Sequence, residues 1–324
     1  MSTPDENSRL RIVVAGSGRL GMAVLEPLLD SGYEVVAVVQ NGRKVPRWER
    51  KLLGLQARIT PRMPSPLCEA VRQRIPIYWL EHLDATEIKS LCAMKPDLLI
   101  TCGFSIILPE SVLSIPRIGC INVHTALLPK HRGPNPCAWV VHDGDGKSGV
   151  TIHVTETGID TGAVLAQESF DLSPTDTSMD VYLASCAVTA GMISETIADI
   201  EANGFANARV QDESEATYDK RFNDEQSRVD WTQSAVAIER LIRAAHAYAP
   251  AWFQFGKTRV RLVQAEAKMG GRDVAPGVIV AVDPELVVGT GDGTLTLYST
   301  YTDQRGGTRW PGAFTKLKPG MRLE

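Results

Sequence analysis

The sequence predicts an α/β fold in which a mostly parallel β-sheet, covered by helices on both faces, precedes a small antiparallel β-barrel. Three observations support this prediction. Short apolar runs alternate with helical periodicity over residues 1–205, as in parallel sheets. A polar stretch follows at 206–227, and short strands separated by turn residues fill 228–324. The length of 324 residues suits two domains, because single hydrophobic cores stop growing at about 250–300 residues.

The first domain, residues 1–205, is predicted to alternate strands and helices. Helical periodicity spans 20–30, and Asp176-Thr177-Ser178 supplies N-cap residues for a long helix that ends near residue 202. We expect that helix to close the domain. The predicted strands share a short apolar run bounded by polar or turn residues and lie at 11–15, 34–39, 98–102, 119–124 and 150–154.

Residues 206–227 are predicted to be a linker, because this stretch is polar and rich in charges of both signs. A helix at 234–247 opens the second domain, residues 228–324. The dipeptide Asp292-Gly293 is a strong hairpin signal, so a small antiparallel barrel is expected. Its predicted strands lie at 252–255, 258–263, 277–282, 286–288 and 294–298.

The composition is that of a globular protein, with 44% hydrophobic and 22% charged residues. We find no apolar stretch of about 20 residues, and residues 1–10 lack the apolar core of a signal peptide. A cytoplasmic protein without a membrane partner is therefore expected. The 6 cysteines are scattered without a Cys-x-x-Cys pair, which favours reduced, mostly buried thiols and no metal site.

A glycine-rich motif, Gly16-Ser17-Gly18-Arg19-Leu20-Gly21, follows the first strand and opens the first helix. This is the Rossmann dinucleotide fingerprint in its usual context, so the domain is predicted to be Rossmann-like. Taken alone, the motif indicates an NAD(P)-dependent oxidoreductase or a nucleotide-sensing module, and an NADP-dependent oxidoreductase can be argued from Arg43 and Lys44. The second strand, however, ends in Gln40-Asn41 without the acid that holds an NAD ribose. A tight turn over the sheet is our preferred explanation of the first two glycines.

Asn122, His124 and Asp160 are the strongest candidates for catalytic residues. Residues two apart in a strand project from the same face, so Asn122 and His124 can face one point beyond the strand end. Asp160, within Gly158-Ile159-Asp160-Thr161-Gly162, can fix the tautomer of the imidazole and raise its pKa. A neutral hydrogen-bond donor beside a titratable base is what acyl transfer to an amine requires.

Further motifs surround these three residues in a fixed order. Asn122-Val123-His124 is followed by Leu127-Leu128-Pro129, by Arg132-Gly133 and finally by Asp160-Thr161-Gly162. This order resembles the folate-dependent formyltransferase family. The resemblance implies a Rossmann-like catalytic domain at 1–205, an OB-like β-barrel domain at 228–324 and the co-substrate 10-formyl-tetrahydrofolate.

The resemblance also implies roles for individual residues. Asn122 would stabilise the oxyanion, and His124 would either take the amine proton or share the oxyanion. The residues expected to contact the folate are Phe104, Ile106, Ile107, Leu108, Pro109, Thr155 and Gly158. The residues expected to contact the acceptor are Arg43, Lys44, Arg47, Thr125, Arg132 and Asn135.

The acceptor is left open between two kinds of amine. Residues 41–74 carry nine basic and two acidic side chains, whereas the whole chain has a net charge of −4. Such a segment, with Trp48 available for stacking, suits RNA phosphates, although a solvated helical face would look the same. The methionyl amine of initiator methionyl-tRNA is the leading acceptor. Thr125-Ala126 and the bulky stretch 134–139 depart from the family pattern and keep open a small amine, such as an amino sugar or a hydroxyornithine-type siderophore precursor.

Overall fold

The computed structural model describes residues 9–59, 64–270, 274–302 and 317–323. The chain divides into two compact units, each built from several segments. The first unit comprises Met1–Gly133, Gly149–Phe170 and Leu183–Tyr218. The second comprises Pro134–Ser148, Asp171–Tyr182 and Asp219–Glu324. The domain boundaries drawn from the sequence at 205 and 228 stay a prediction.

The larger sheet has seven strands in the order β3-β2-β1-β4-β5-β6-β7. Its members are β1 (Arg11–Gly16), β2 (Glu34–Asn41), β3 (Ile77–Leu80), β4 (Leu98–Cys102), β5 (Gly119–His124), β6 (Lys147–Val154) and β7 (Val164–Asp171). The pairs β3-β2, β2-β1, β1-β4 and β4-β5 are parallel, whereas β6 runs antiparallel to β5. The predicted mostly parallel sheet is therefore confirmed.

Two strands of this sheet escaped the sequence prediction for physical reasons. Strand β3 has only 4 residues, too few to show a period. Strand β7 is mostly polar and exposed towards its carboxyl end, so it lacks an apolar run. The antiparallel direction of β6 was not foreseen either, because strand polarity leaves no mark on the sequence of a single strand.

Eight α-helices occur in the described residues: α1 (Gly18–Asp30), α2 (Arg47–Ile59), α3 (Pro66–Gln73), α4 (Ala85–Ala93), α5 (Glu110–Leu113), α6 (Pro136–Asp143), α7 (Ser178–Asn203) and α8 (Ala235–Ala245). Helix α7 starts with a reciprocal cap, as the sequence predicted near this point. The Asp180 N–H donates to Thr177 Oγ1 at 3.3 Å, and Asp180 Oδ2 accepts from the Thr177 N–H at 2.9 Å.

Helix α7 has 26 residues and is apolar enough to cross a membrane by length and composition. Our expectation that no apolar stretch reaches this length was therefore wrong. In the structure, 44% of its most apolar 18-residue stretch is buried inside the protein. The fully buried positions recur every three to four residues, at Ser178, Val181, Ser185, Thr189, Ile193, Ile197 and Ile200. That spacing is typical of a helix with one face packed against protein.

The order of the parallel strands places a switch point between β1 and β4, where ligands bind in open α/β sheets. At this edge a Cβ on Gly16 would overlap Cys102 Sγ, and Gly18 has a φ of +62°. Gln40, the residue found in place of an acid, donates from Nε2 to the Gly16 carbonyl at 2.7 Å. Close packing of loop and strand thus accounts for the glycine-rich motif.

The second unit contains a curled antiparallel sheet in the order β10-β11-β12-β9-β8. Its strands are β8 (Trp252–Phe255), β9 (Thr258–Met269), β10 (Ile279–Ala281), β11 (Leu286–Gly289) and β12 (Gly293–Thr302). Register shifts in β10 and β12 bend the sheet. The predicted small barrel-like domain is confirmed. Strand β9 extends beyond the prediction because Ala265 and Ala267, weak strand formers, continue its ladder with β12.

Candidate active site

Strand β5 ends with the polar pair that the sequence singled out. Thr101, on the neighbouring β4, donates from Oγ1 to Asn122 Oδ1 at 2.8 Å, which fixes the orientation of the Asn122 amide. Asn122 Nδ2 then lies 3.3 Å from Asp160 Oδ1 and 3.2 Å from His153 Nε2. The structure thus brings the expected amide and carboxylate together and adds an imidazole that the sequence analysis had not used.

Asp160 lies between β6 and β7 with a φ of +53°, in the left-handed region that a non-glycine residue rarely adopts. Its Oδ2 accepts from the Gly133 N–H at 2.8 Å. Its backbone carbonyl accepts from Gln211 Nε2 at 2.8 Å. A strained turn held at both its side chain and its backbone is typical of functional sites.

His124 is 5% exposed, and its Nε2 lies 2.9 Å from the His131 carbonyl oxygen. Because a carbonyl can only accept, this contact places a proton on Nε2. His124 Nδ1 faces Asp160 Oδ2 at 3.6 Å. The backbone of His131, rather than Asp160 as expected, therefore sets the tautomer of the neutral ring.

The pKa values of His124 and Asp160 are both shifted, and the shifts determine which of the two groups is charged at neutral pH. Burial lowers the pKa of His124, and the Asp160 carboxylate only partly opposes that effect, so the net shift is downward rather than upward as expected. Burial alone would raise the pKa of Asp160, but His124, His153 and the Gly133 N–H outweigh it and hold that pKa well below its usual range. A neutral imidazole thus faces a charged carboxylate at neutral pH.

His153 is the residue at this site that the sequence analysis missed. It lies opposite Asn122 in the antiparallel pairing of β5 and β6 and is 2% exposed. Its Nδ1 donates to the Val154 carbonyl at 2.8 Å, and its Nε2 lies 3.5 Å from Asp160 Oδ1. A polar residue inside the apolar run of β6 was the only signal for it, and that signal needed the register of β6 to be informative.

The residues expected to contact the folate fall into two groups. Ile106 and Leu108 pack in the hydrophobic core, with Phe104 partly buried against it. Ile107, Pro109 and Gly158 are exposed. Thr155 follows β6, and its Oγ1 is buried without a hydrogen-bond partner among the residues that the structure describes.

The residues expected to contact the acceptor are more scattered. Arg43 and Arg47 are exposed near the start of α2, and the Lys44 side chain lies outside the described part of the chain. Thr125 is buried directly after His124. Arg132 is wholly buried, and Asn135, in the second unit, accepts from the Phe222 N–H at 3.1 Å.

The fold and the site define an α/β protein in which an amide, two imidazoles and a carboxylate lie together at one edge of the larger sheet. Sequence comparison then gives the family. The profile of "Formyl transferase" matches residues 9–196, and that of "Formyl transferase, C-terminal domain" matches residues 221–304. The chain belongs to the formyl transferase family and is a formyltransferase, which favours formyl transfer over the oxidoreductase alternative. Formyl-tetrahydrofolate is the donor that this family uses.

Curated relatives match the chain over most of its length. The methionyl-tRNA formyltransferase of Pseudomonas entomophila is 36% identical over 291 residues, covering 89% of this chain and 90% of the relative. The methionyl-tRNA formyltransferase of Idiomarina loihiensis is 32% identical over 329 residues, covering 97% of this chain and 100% of the relative.

Solved structures share the fold at lower identity. An N-formyltransferase from Helicobacter canadensis, in complex with folinic acid and dTDP-3-aminofucose, has a TM-score of 0.64 at 19% identity, covering 90% of this chain and 100% of its own. HypX from Aquifex aeolicus, in complex with tetrahydrofolic acid, has a TM-score of 0.59 at 19% identity, covering 95% of this chain and 47% of its own.

Proposed function

We propose that this protein transfers a formyl group from 10-formyl-tetrahydrofolate to the methionyl amine of initiator methionyl-tRNA. The observation that carries the proposal is the convergence of Asn122, His124 and Asp160 at the carboxyl end of β5. Curated relatives that cover nearly the whole chain bear the name methionyl-tRNA formyltransferase, which supports this acceptor.

Asn122 is assigned to the carbonyl oxygen of the formyl group, where negative charge develops as the amine attacks. Its Nδ2 contacts of 3.2 and 3.3 Å are longer than the usual 2.9–3.0 Å, so a ligand oxygen can replace either one. Thr101 keeps the amide turned the right way. Loss of one such donor typically costs about 3 kcal/mol of barrier.

His124 is assigned as the base. Its Nε2 is committed to the His131 carbonyl, so the amine proton is taken at Nδ1, the atom that faces Asp160. The carboxylate of Asp160 stabilises the resulting imidazolium ion. The role is therefore proton acceptance rather than oxyanion binding, because the neutral ring presents no N–H at Nδ1.

The folate donor fits the residues beside this site. The orphaned hydroxyl of Thr155 supplies a hydrogen-bonding group for a polar ring edge, and Phe104, Ile107, Pro109 and Gly158 offer apolar or backbone surface. Ile106 and Leu108, which lie in the core, would support that surface from below. When bound, the folate supplies the activated formyl group.

Helix α2 and the residues before it support an RNA acceptor. Arg43 and Arg47 are exposed, as is Trp48, 66% of whose surface is accessible. These side chains are suited to phosphates and to a stacked base. We further propose that the protein acts in the cytoplasm and that residues 1–205 form its catalytic domain, 206–227 the linker and 228–324 the C-terminal domain.

The test is product formation with defined acceptors. The protein is incubated with 10-formyl-tetrahydrofolate and either charged initiator tRNA or a panel of amino sugars and hydroxyornithine, and formylated product is quantified by mass spectrometry. Formyl-methionyl-tRNA as the main product is expected. Transfer to a small amine without transfer to tRNA at any salt concentration would contradict the proposed acceptor.

A further inference from the structure

Part of the stretch that the sequence assigned to a linker lies against the loop at 125–133, which follows β5 in the first unit and is called the catalytic loop below. Thr217 donates its N–H to the Pro129 carbonyl at 3.2 Å and accepts, at its own carbonyl, the Arg132 N–H at 2.9 Å. Thr217 Oγ1 accepts from the His131 N–H at 2.7 Å. Residues 211–218 are therefore tied to the loop whose His131 carbonyl holds His124.

Arg132 anchors this segment from the catalytic loop. Its side chain is 0% exposed, and a guanidinium has five N–H donors. Gln211 Oε1 accepts from Nε at 3.2 Å and from Nη2 at 2.9 Å. The Glu213 carboxylate accepts at 2.9 and 2.6 Å, and the Tyr218 hydroxyl accepts at 2.6 Å. Every donor of Arg132 is thus engaged, which leaves none for the acceptor substrate that we had expected it to contact.

Gln211 links Arg132 to the strained turn at Asp160. While its Oε1 accepts from Arg132, its Nε2 donates to the Asp160 carbonyl at 2.8 Å and to the Gly162 carbonyl at 2.7 Å. Gln211 is 6% exposed, so all of these contacts are shielded from water. Together they hold the backbone of Asp160, whose φ is +53°.

We propose that Gln211, oriented by Arg132, is a positioning residue for the reaction, which sets the Asp160 carboxylate against His124 Nδ1. This inference rests on the proposed function of Asp160. Without the two hydrogen bonds from Gln211, the Asp160 backbone can leave the left-handed region, which L-residues disfavour. The carboxylate then moves away from the imidazole that it serves.

Gln211→Glu separates this role from general support of the fold. The carboxylate keeps the size of the side chain and still accepts from Arg132, but it has no N–H to donate to the Asp160 and Gly162 carbonyls. We expect kcat to fall by about 10- to 100-fold, with the KM for methionyl-tRNA within about threefold of wild type. Gln211→Asn keeps the amide but has a shorter side chain, so its kcat should lie between those of wild type and Gln211→Glu. This variant replaces Gln211→Glu in the test if Gln211→Glu does not fold.

Glu215→Gln is the matched control, because Glu215 is exposed in the same segment and undergoes the reverse chemical exchange. Its kcat should equal that of wild type. A kcat for Gln211→Glu equal to wild type would overturn the inference. An equal fall in both variants would also overturn it, since the effect would then belong to the segment and not to Gln211.

A double-mutant cycle with Asp160→Asn shows whether Gln211 acts through Asp160. If it does, adding Gln211→Glu to Asp160→Asn produces no further loss of kcat; additive losses would refute the mechanism. Nitrogen-15 NMR of the histidines gives a readout that needs no turnover: the pKa of His124 should fall further in Gln211→Asn, which adds no charge of its own. Wild-type turnover by Asp160→Asn alone would end the proposed function, whereas the NMR titration would still decide the positioning claim.

Discussion

His124 and Asp160 show how one buried pair of residues can hold opposite ionisation states. The imidazole is neutral because burial lowers its pKa, and the carboxylate, whose pKa lies well below its usual range, is charged and accepts the Gly133 N–H. In the proposed mechanism, proton acceptance at His124 Nδ1 converts this neutral and anionic pair into an ion pair inside the protein. The positive charge that His124 gains with the amine proton is then balanced by the Asp160 carboxylate.

This arrangement predicts an acid limb in the pH dependence of kcat/KM, because His124 must be neutral to accept a proton. Since the folded pKa of His124 is lowered, the midpoint should lie below the ordinary imidazole value of about 6.5. Asp160→Asn removes the charge that favours imidazolium, so the midpoint should move to still lower pH. Rate profiles of both proteins measure this shift, and a midpoint that moves upward in the variant would contradict it.

Asn122 and His124 could be predicted from the sequence because residues two apart in a strand face the same side, whatever the rest of the fold. Asp160 could be added because the spacing of its motif resembles that of a known family. His153 and Gln211 could not be added, since their proximity depends on the register of β6 and on residues 211–218 folding back along the catalytic loop. Contacts made by tertiary packing leave no pattern in a single sequence.

Among the elements, the loop between β1 and α1 needs its glycines for close packing as much as for the geometry of the turn. Gly16 approaches Cys102 closely on the adjacent strand, and Gly21 in α1 approaches Gly16 and Pro66. A side chain at Gly16 would push helix and sheet apart at the edge that carries the site. The fingerprint that suggested a dinucleotide therefore has a structural explanation here.

Gly16→Ala is expected to lower the free energy of unfolding by about 1–3 kcal/mol, the usual cost of overpacking. Gly191→Ala is the control, because its Cβ would meet nothing within 4 Å in the middle of α7, and it should stabilise by about 0.5–1 kcal/mol. Urea unfolding of both variants measures the difference. Equal free energies of unfolding for the two variants would show that the close approach at Gly16 does not affect stability.

Helix α2 was predicted only as part of a basic segment. In the structure, some of its basic side chains pair within the fold and others are exposed to solvent. Arg50 pairs with Glu81 and lies over the Trp79 ring at 5.4 Å, so it belongs to the fold. Arg47, at 86% side-chain exposure, and the exposed Lys51 remain at the surface. The sequence alone could not sort these positions, because all of them lie within one amphipathic helix.

Removing Arg47 and Lys51 together, as Arg47→Ala with Lys51→Ala, should weaken methionyl-tRNA binding and lower its salt dependence. Each lost phosphate contact is expected to reduce the slope of log K against log salt by about 1. Lys89→Ala, an exposed charge on α4, serves as the control and should leave the slope unchanged. Filter binding over a range of salt concentrations gives both slopes. An unchanged slope in the double variant would remove α2 from the RNA surface.

For the whole molecule, the sequence predicted both domain types because each has its own periodicity and turn signals. The seven-stranded and five-stranded sheets agree with that prediction. Relatives align over 89% and 97% of the chain, so the likeness extends well beyond the catalytic motifs. A net charge of −4 with a basic segment at 41–74 is compatible with RNA contact at one surface of an otherwise acidic protein.

The most direct test of the account is the single-turnover rate of formyl transfer to methionyl-tRNA by wild type and by Asn122→Ala, His124→Ala and Asp160→Asn. We predict that each substitution slows transfer by at least about 100-fold, while thermal unfolding and tRNA binding remain close to wild type. Rates within a few-fold of wild type for any of the three would show that the convergence at β5 does not perform the reaction.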